Sequence, residues 1–521
     1  MYENVFRVHD WQRAEPQPAR VGSVERDSTL SCDNSSTFRT CIWRGLRTLV
    51  PLVLCTLLMS CASSALLRQK KLADAVASED FISAVSLVRQ NQKELYGKRN
   101  ALLYHMDMGV LYHYAGQYDS SNAYLLKAVE INDDLFARSI TNESAALLTN
   151  DNIRPYRAKP YELVLIHQII ALNFLALGKV DEALVESRSV QLQFNEWERK
   201  GANTNKYHTD GMFHLLSSIA YEELGETDNS LISLFKSVQA YKKGPVNLPE
   251  EVREYAYNRL VSGGRESDTA ILGIRAPQGE IEWNAGKDES EIILVGYAGK
   301  GPTLQEKSWS GTYIKDGMLM VSTVGPDGRM VSENFPAPSL PASEYQKAAR
   351  GQKTQSGTTI HIKFAMPEVA TFPSRASYFT VQQGSNATIR SVKINDLNLQ
   401  AKKALQDNWN SMMTRTVVRV VLRTIAAQRA KAEMRTDSPV ANLLLNLGTD
   451  VLTDQLERAD IRSCFLLPQE IHLLRMPVQP GKHDFLVNVH DRYGNLMGVR
   501  EYRGIEVKKG EKKFLFHYSF K

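Results

Sequence analysis

Three stretches of this chain repeat one grammar, and that repetition constrains the fold more than any other feature of its 521 residues. They read MGVLYHYAGQYDSSNAYLLKAVEIN at 108–132, IALNFLALGKVDEALVESRSV at 170–190 and SIAYEELGETDNSLISLFKSV at 218–238. Aligned on Gly116, Gly178 and Gly225, the residue seven earlier is small (Gly109, Ala171, Ser218) and the residue four earlier is aromatic (Tyr112, Phe174, Tyr221). Five residues after each glycine stands another small residue: Ser121, Ala183 and Ser230. Apolar residues at helical spacing on both sides of a glycine predict two helices joined by a tight turn.

The pattern resembles the tetratricopeptide repeat, in which small residues let two antiparallel helices approach and large ones fill the groove between neighbours. The glycines are 62 and 47 residues apart, against about 34 for tandem copies, so extra helices or loops such as NDNIRPYRAKPYE at 150–162 must intervene. The alternative is an unrelated helical bundle. Stacked hairpins of the repeat type would form a curved solenoid whose concave face meets a peptide or partner domain. His105, His167 and His214 stand eleven residues before the three turn glycines. Equivalent positions of stacked repeats lie roughly 10 Å apart, against a zinc–ligand distance of about 2 Å, so these are expected to be packing histidines. No metal site is expected.

The run from Leu49 to Met59 is apolar over eleven residues and contains Pro51, too short for the roughly 20 residues that span a bilayer. Arg44 and Arg47 precede it without an acid in between, as in the charged region of a secretory signal. The sequence Leu58-Met59-Ser60-Cys61 follows and resembles a bacterial lipobox, which implies a diacylglycerol on the Cys61 sulfur and removal of residues 1–60. Ala62 and Ser63 include no Asp, so the resemblance implies the outer membrane, lipid-anchored on its periplasmic face, with 61–69 as a tether. Several acyl chains on one cysteine anchor stably where one does not. Residues 1–40 carry no periodic apolar pattern, and no methionine lies between Met1 and Met59; a misplaced start is expected rather than a functional extension.

A net charge of +5 is too mild to argue for nucleic acid. Of five cysteines, Cys32, Cys41 and Cys55 precede the cleavage site and Cys61 takes the lipid, which leaves Cys464. An intramolecular disulfide or a multi-cysteine metal centre is then excluded.

After a helical domain at 70–262, the grammar turns to strands: EIILVGYAGKGP, SGTYIKDGMLMVSTVGPDGRMV, GTTIHIKFAMPEV and ASYFTVQQGSNATIRSVKI alternate apolar and polar residues between glycine turns, the strand and hairpin signal. Gly299-Lys300-Gly301-Pro302 lacks the third glycine and following helix of a nucleotide fingerprint and reads as a turn. A helix resumes near Asp396, with Arg415, Arg419 and Arg423 four residues apart on one stripe. That stripe would suit anionic headgroups or a partner, or be solvated or paired with acids of the fold. SPVANLLLNLGTDVLTDQLERAD at 438–460 would return as the second arm of a hairpin. The expected fold class is α+β: a helical solenoid, then a mainly antiparallel, sandwich-like β domain at 270–395 and 459–521, with a helical hairpin inserted at 396–458.

ELVLIHQIIALNFLALGKVDEALVESR, AMPEV, RTVVRVVLRTIAAQ and above all ERADIRSCFLLPQEIHLLRMPVQPGKHDF are similar to a family of uncharacterised bacterial outer-membrane lipoproteins with tetratricopeptide repeats. The resemblance brings no catalytic residues and no cofactor, and it implies Cys464 is a packing residue. His-Glu-x-x-His, Gly-x-Ser-x-Gly and the phosphate loop are missing from the sequence. Asp460, Arg462, Glu470, His472 and Arg475 could form an acid–base site, but Asp460 with Arg462 fits better as a structural ion network, given the bidentate geometry of that pair. The expectation is a lipid-anchored interaction or assembly factor, not an enzyme, whose partners are the membrane and an envelope protein or peptide. A regulator of peptidoglycan synthesis or of envelope secretion is one alternative. A polysaccharide-binding or hydrolytic protein, marked by an aromatic cleft with two carboxylates about 5 to 10 Å apart, is another.

Overall fold

Gly116, Gly178 and Gly225 adopt left-handed backbone, at φ of 72°, 69° and 73°, where a side chain is disfavoured. Each is the middle residue of a three-residue turn that folds the next helix back. The structure, a computed structural model, describes residues 70–140, 154–199, 210–279, 283, 289–314, 318–325, 327–337, 339, 359–384, 388–434 and 458–520. The lipobox, Cys61 and most of the expected second arm at 438–460 lie outside the described residues, and 458–460 are not helical.

The N-terminal half is helical: α1 (70–77), α2 (Phe81–Gln90), α3 (Gln92–Leu95), α4 (Ala101–Tyr114), α5 (Tyr118–Ile140), α6 (Pro160–Ala176), α7 (Val180–Arg199), α8 (Gly211–Glu223), α9 (Thr227–Lys243), α10 (Glu250–Ser262) and α11 (Glu266–Leu272). Helices α4/α5, α6/α7 and α8/α9 are the three hairpins. Gly109 lets α5 come close: a Cβ there would stand 2.3 Å from a Leu125 methyl. Ser121, five residues past the turn, donates to the Gly109 carbonyl at 2.7 Å, and Ser218 meets Ser230 at 3.0 Å in the third hairpin.

Among the described residues, the C-terminal half forms three four-stranded sheets. Strands β1 (Ser290–Lys300), β8 (Val392–Asp396), β9 (Pro468–Val478) and β12 (Lys512–Ser519) make a central sheet in the order β12-β1-β9-β8. Strand β1 runs parallel to β12 and antiparallel to β9. Its residues Ser290–Gly299 are buried throughout, as befits a strand covered on both faces. Ile293, Val295 and Tyr297 face the helices, while Ile292, Leu294 and Ala298 face a second sheet. That sheet is built from β11 (Leu496–Val507), β10 (Gly481–His490), β6 (Tyr378–Gln382) and β7 (Ile389–Arg390). The remaining strands, β4 (Met330–Pro336), β3 (Met318–Val324), β2 (Thr303–Ile314) and β5 (Thr359–Ala370), form a separate sheet. Its Trp309, Tyr313, Ile362 and Phe364 pack on Met413, Val417 and Val421 of α12 (Leu397–Met434).

The α+β class, with helices first and sheets after, therefore holds. The single sandwich is corrected: strands 303–370 leave it and pair with α12, because that helix offers an apolar face for one side of an extra sheet. The open concave surface is corrected as well. Helices α4 and α6 are buried on nearly every side, since the central sheet lies against them. Phe516, Tyr518 and Phe520 share their core with Tyr114, and the Tyr114 hydroxyl donates to the Leu466 carbonyl at 2.8 Å. The groove that the repeat resemblance implied for a partner is thus covered by the chain itself.

Candidate functional site

A cavity of about 330 Å³ opens where three distant segments meet: residues 154–161 before and at the start of α6, one face of α12, and residues 458–462 before β9, with Leu304 of β2 and Ala365–Pro367 of β5. Pro160 sits in the first turn of α6, where its missing N–H costs nothing, and Glu162 accepts from the Lys159 N–H at 2.7 Å. This cap fixes the course of the preceding Arg154-Pro155-Tyr156-Arg157 run.

Glu162 also joins the third segment, taking the Cys464 N–H at 2.9 Å on its other oxygen and the Tyr156 hydroxyl beside the first. Arg462 grips both oxygens of Asp460, at 2.8 and 2.6 Å, and donates to Asn100 Oδ1 at 2.9 Å and to the Arg154 carbonyl at 3.0 Å. Lys159 donates to the Arg462 carbonyl at 2.5 Å. Burial works to raise the Asp460 carboxyl, but the Arg462 hydrogen bonds and charge outweigh it and hold the acid below its ordinary range. Burial pushes the Tyr156 hydroxyl well above its usual value.

The charge balance is lopsided. Among the described residues of the wall, Arg154, Arg157, Lys159, Arg415, Arg419, Arg458 and Arg462 face the single carboxylate of Asp460, already taken by Arg462. The wall offers no second carboxylate among its described residues for paired acid–base work.

The other expected residues are dispersed. In the arginine stripe, Arg415 is exposed, Arg423 half-buried and Arg419 buried, so the stripe is not one solvated face; Arg415 and Arg419 turn to the cavity. Asp460 and Arg462 pair, but Glu470, His472 and Arg475 go elsewhere, because alternation along β9 sends them to opposite faces. His472 packs on Phe379 within the sandwich, beside Glu470, which takes Lys393 at 3.1 Å. Arg475 points at the helices and binds Glu291 and Glu222 at 3.0 Å. His105 packs against Tyr104 and Tyr124, His214 against Phe213, and His167 pairs with Glu186. Cys464 is a buried free thiol whose Sγ donates to Asp107 at 3.4 Å. Among the described residues, no group of three His, Cys, Asp or Glu is placed to hold a metal, and no helix is long and apolar enough to cross a membrane.

Sequence reasoning missed the 154–161 wall. Its signal was present: three basic residues interleaved with two tyrosines and two prolines, which were read only as an extra helix or loop between repeats. No family model, no curated protein and no solved structure matches the chain.

Proposed function

We infer that the chain is an outer-membrane lipoprotein, anchored through Cys61 and facing the periplasm, that acts as an interaction or assembly factor through tetratricopeptide-like hairpins. The observation that carries this reading is the recurrence of one hairpin geometry, with three left-handed turn glycines and matched small residues where the helices cross. Because the central sheet covers α4 and α6, the partner surface moves to the outer helices. Val185 of α7 and Ile232 of α9, each seven residues past its turn glycine, are 56% and 41% exposed, and Leu126 of α5 is exposed too. Exposed apolar residues on the second helix of each hairpin suit an envelope protein or peptide.

The test is expression of the full chain with its own signal beside Cys61→Ser, with intact mass, membrane fractionation and crosslinking. The wild type should begin at an acylated Cys61, sediment with the outer membrane and crosslink to a defined partner. The double variant Val185→Glu/Ile232→Glu should keep the anchor and lose the partner. Unchanged fractionation of Cys61→Ser would overturn the location, and an undiminished crosslink in the double variant would overturn the surface.

A further inference from the structure

Large apolar side chains gather at one end of the β sandwich, on turns and outside its core. The linker from β5 to β6, residues 371–377, and the turn from β10 to β11, residues 491–495, leave the sheets side by side. The Ser377 N–H donates to the His490 carbonyl at 2.8 Å, and the Tyr378 hydroxyl would lie 3.5 Å from a Cβ added at Gly494. The same linker crosses the end of β1, where a Cβ on Gly299 would meet that of Ser374 at 2.7 Å. Phe372 and Tyr493 stand on these two segments and Leu496 opens β11; they are 63%, 73% and 58% exposed. A single exposed apolar residue needs no explanation, but a group of them marks a contact surface.

The free charge at this end is of one sign. Lys300, Arg375, Arg390 and Arg492 are exposed, and among the described residues no carboxylate pairs with any of them. Two lie over rings instead, Arg390 at 3.8 Å from the Tyr378 centroid and Arg492 at 4.6 Å from that of Tyr493, contacts that leave the cation charged. The nearby acids are engaged. Asp491 takes the N–H groups of Tyr493 and Asn495 at 2.8 and 2.9 Å within its own turn, Glu470 takes Lys393 at 3.1 Å and Glu368 takes Lys307 at 3.0 Å. We propose that this end of the sandwich docks on an anionic lipid surface, with Phe372, Tyr493 and Leu496 entering the headgroup layer and the four cations against its phosphates. Aromatic rings suit that layer, which is apolar on one side and wet on the other. An acidic polypeptide would need a groove or a strand edge, whereas Phe372 and Tyr493 stand on turns, which suits a fluid surface. The proposal does not rest on acylation of Cys61; in an anchored chain this contact sets how the body lies on the same leaflet.

The experiment is flotation of the full chain carrying Cys61→Ser, so that no acyl chain contributes, on vesicles of phosphatidylcholine alone and mixed with phosphatidylglycerol. The apolar run at 49–59 is common to every variant, so the readout is a ratio of partition coefficients. Phosphatidylglycerol should raise binding by about a hundredfold, and added salt should reduce that gain. Arg375→Gln/Arg492→Gln should cut the gain about twentyfold, at about fivefold for each charge near an anionic surface. Phe372→Ser/Tyr493→Ser should weaken binding about tenfold or more through lost apolar burial; all four side chains are exposed, so the fold is spared. The control is Lys508→Gln/Lys509→Gln, which removes the same charge from exposed positions at the opposite end, beside Ser290 at the start of β1, and should leave binding within about twofold. An equal loss in that control, undiminished binding in either variant of the proposed surface, or phosphatidylcholine binding as tight as the mixture would each overturn the proposal. Soluble polyglutamate bound as tightly as the vesicles, with the same dependence on Arg375 and Arg492, would overturn it in favour of an acidic polypeptide.

Discussion

The Nε2 atom of His113, on α4, lies 3.0 Å from the hydroxyl of Tyr297 on the central strand, inside a fully buried boundary between helices and sheet. Asn173 fixes the tautomer. Its Nδ2 donates to Ser121 and Asn122, so its Oδ1 must accept from His113 Nδ1 at 2.6 Å. That leaves Nε2 to accept the Tyr297 proton.

Burial, opposed by the Asn173 hydrogen bond, depresses the His113 imidazole to about 4. The folded protein thus keeps it neutral, while the unfolded chain takes up a proton below about 6.5. The unfolded state binds more protons between those values, so this contribution is intact above pH 6.5 and is lost as pH falls toward 4. The expected loss is about 1.4 kcal/mol per pH unit, or about 3 kcal/mol in all. Glu223, which burial raises to about 7, acts in the opposite sense, so the diagnostic is a difference. Urea midpoints of wild type and His113→Gln should converge as the pH drops from 7 to 4.5; parallel profiles would show that His113 does not couple the boundary to protons.

Arg475 is a second tie across the same boundary. It bridges Glu291 of β1 and Glu222 of α8, which also take Lys512 at 3.3 Å and Arg259 at 3.0 Å, and it stacks 4.7 Å over Tyr255. Removing one partner from a buried network leaves charge uncompensated, at a cost of about 3–5 kcal/mol. Arg475→Met should lower the free energy of unfolding by about that amount, measured by denaturant titration at pH 7.5. A change within 1 kcal/mol, on the order of a surface pair, would mean that the carboxylates find other partners.

Two glycines of one hairpin should fail for different reasons. At Gly109 the obstacle is Leu125, 2.3 Å from a new Cβ, so Gly109→Val overpacks the α4/α5 contact and costs about 1–3 kcal/mol. Gly116 has open space around it but a φ of 72°, so Gly116→Ala should cost about 1 kcal/mol from backbone strain. Adding Leu125→Ala should rescue Gly109→Val and leave Gly116→Ala unchanged, as melting temperatures would report.

The hairpins were legible because their signals are local. A turn glycine and residues three and four apart act within one or two helical turns, and the helix at 397–434 was visible by the same rule. The strands were legible one at a time. Which strands share a sheet was not, since β1 and β12 pair across more than two hundred residues and many apolar alternating segments could exchange partners. One clue went unread: PYELVLIHQIIALNFLA of α6 is apolar almost all round, and such a helix must be covered on every side.

By itself the sequence determined the helical hairpins, the strand segments and the residues between which each turn falls, because propensity and periodicity are properties of neighbouring residues. Only the tertiary structure decided that the central sheet occupies the face of the first helices, that β2–β5 pair with α12, and that Arg415, Arg157 and Arg458 line one cavity. Those arrangements depend on burying apolar faces made by segments far apart in the chain, and the free energy of such contacts belongs to pairs of surfaces, which no single stretch of sequence contains.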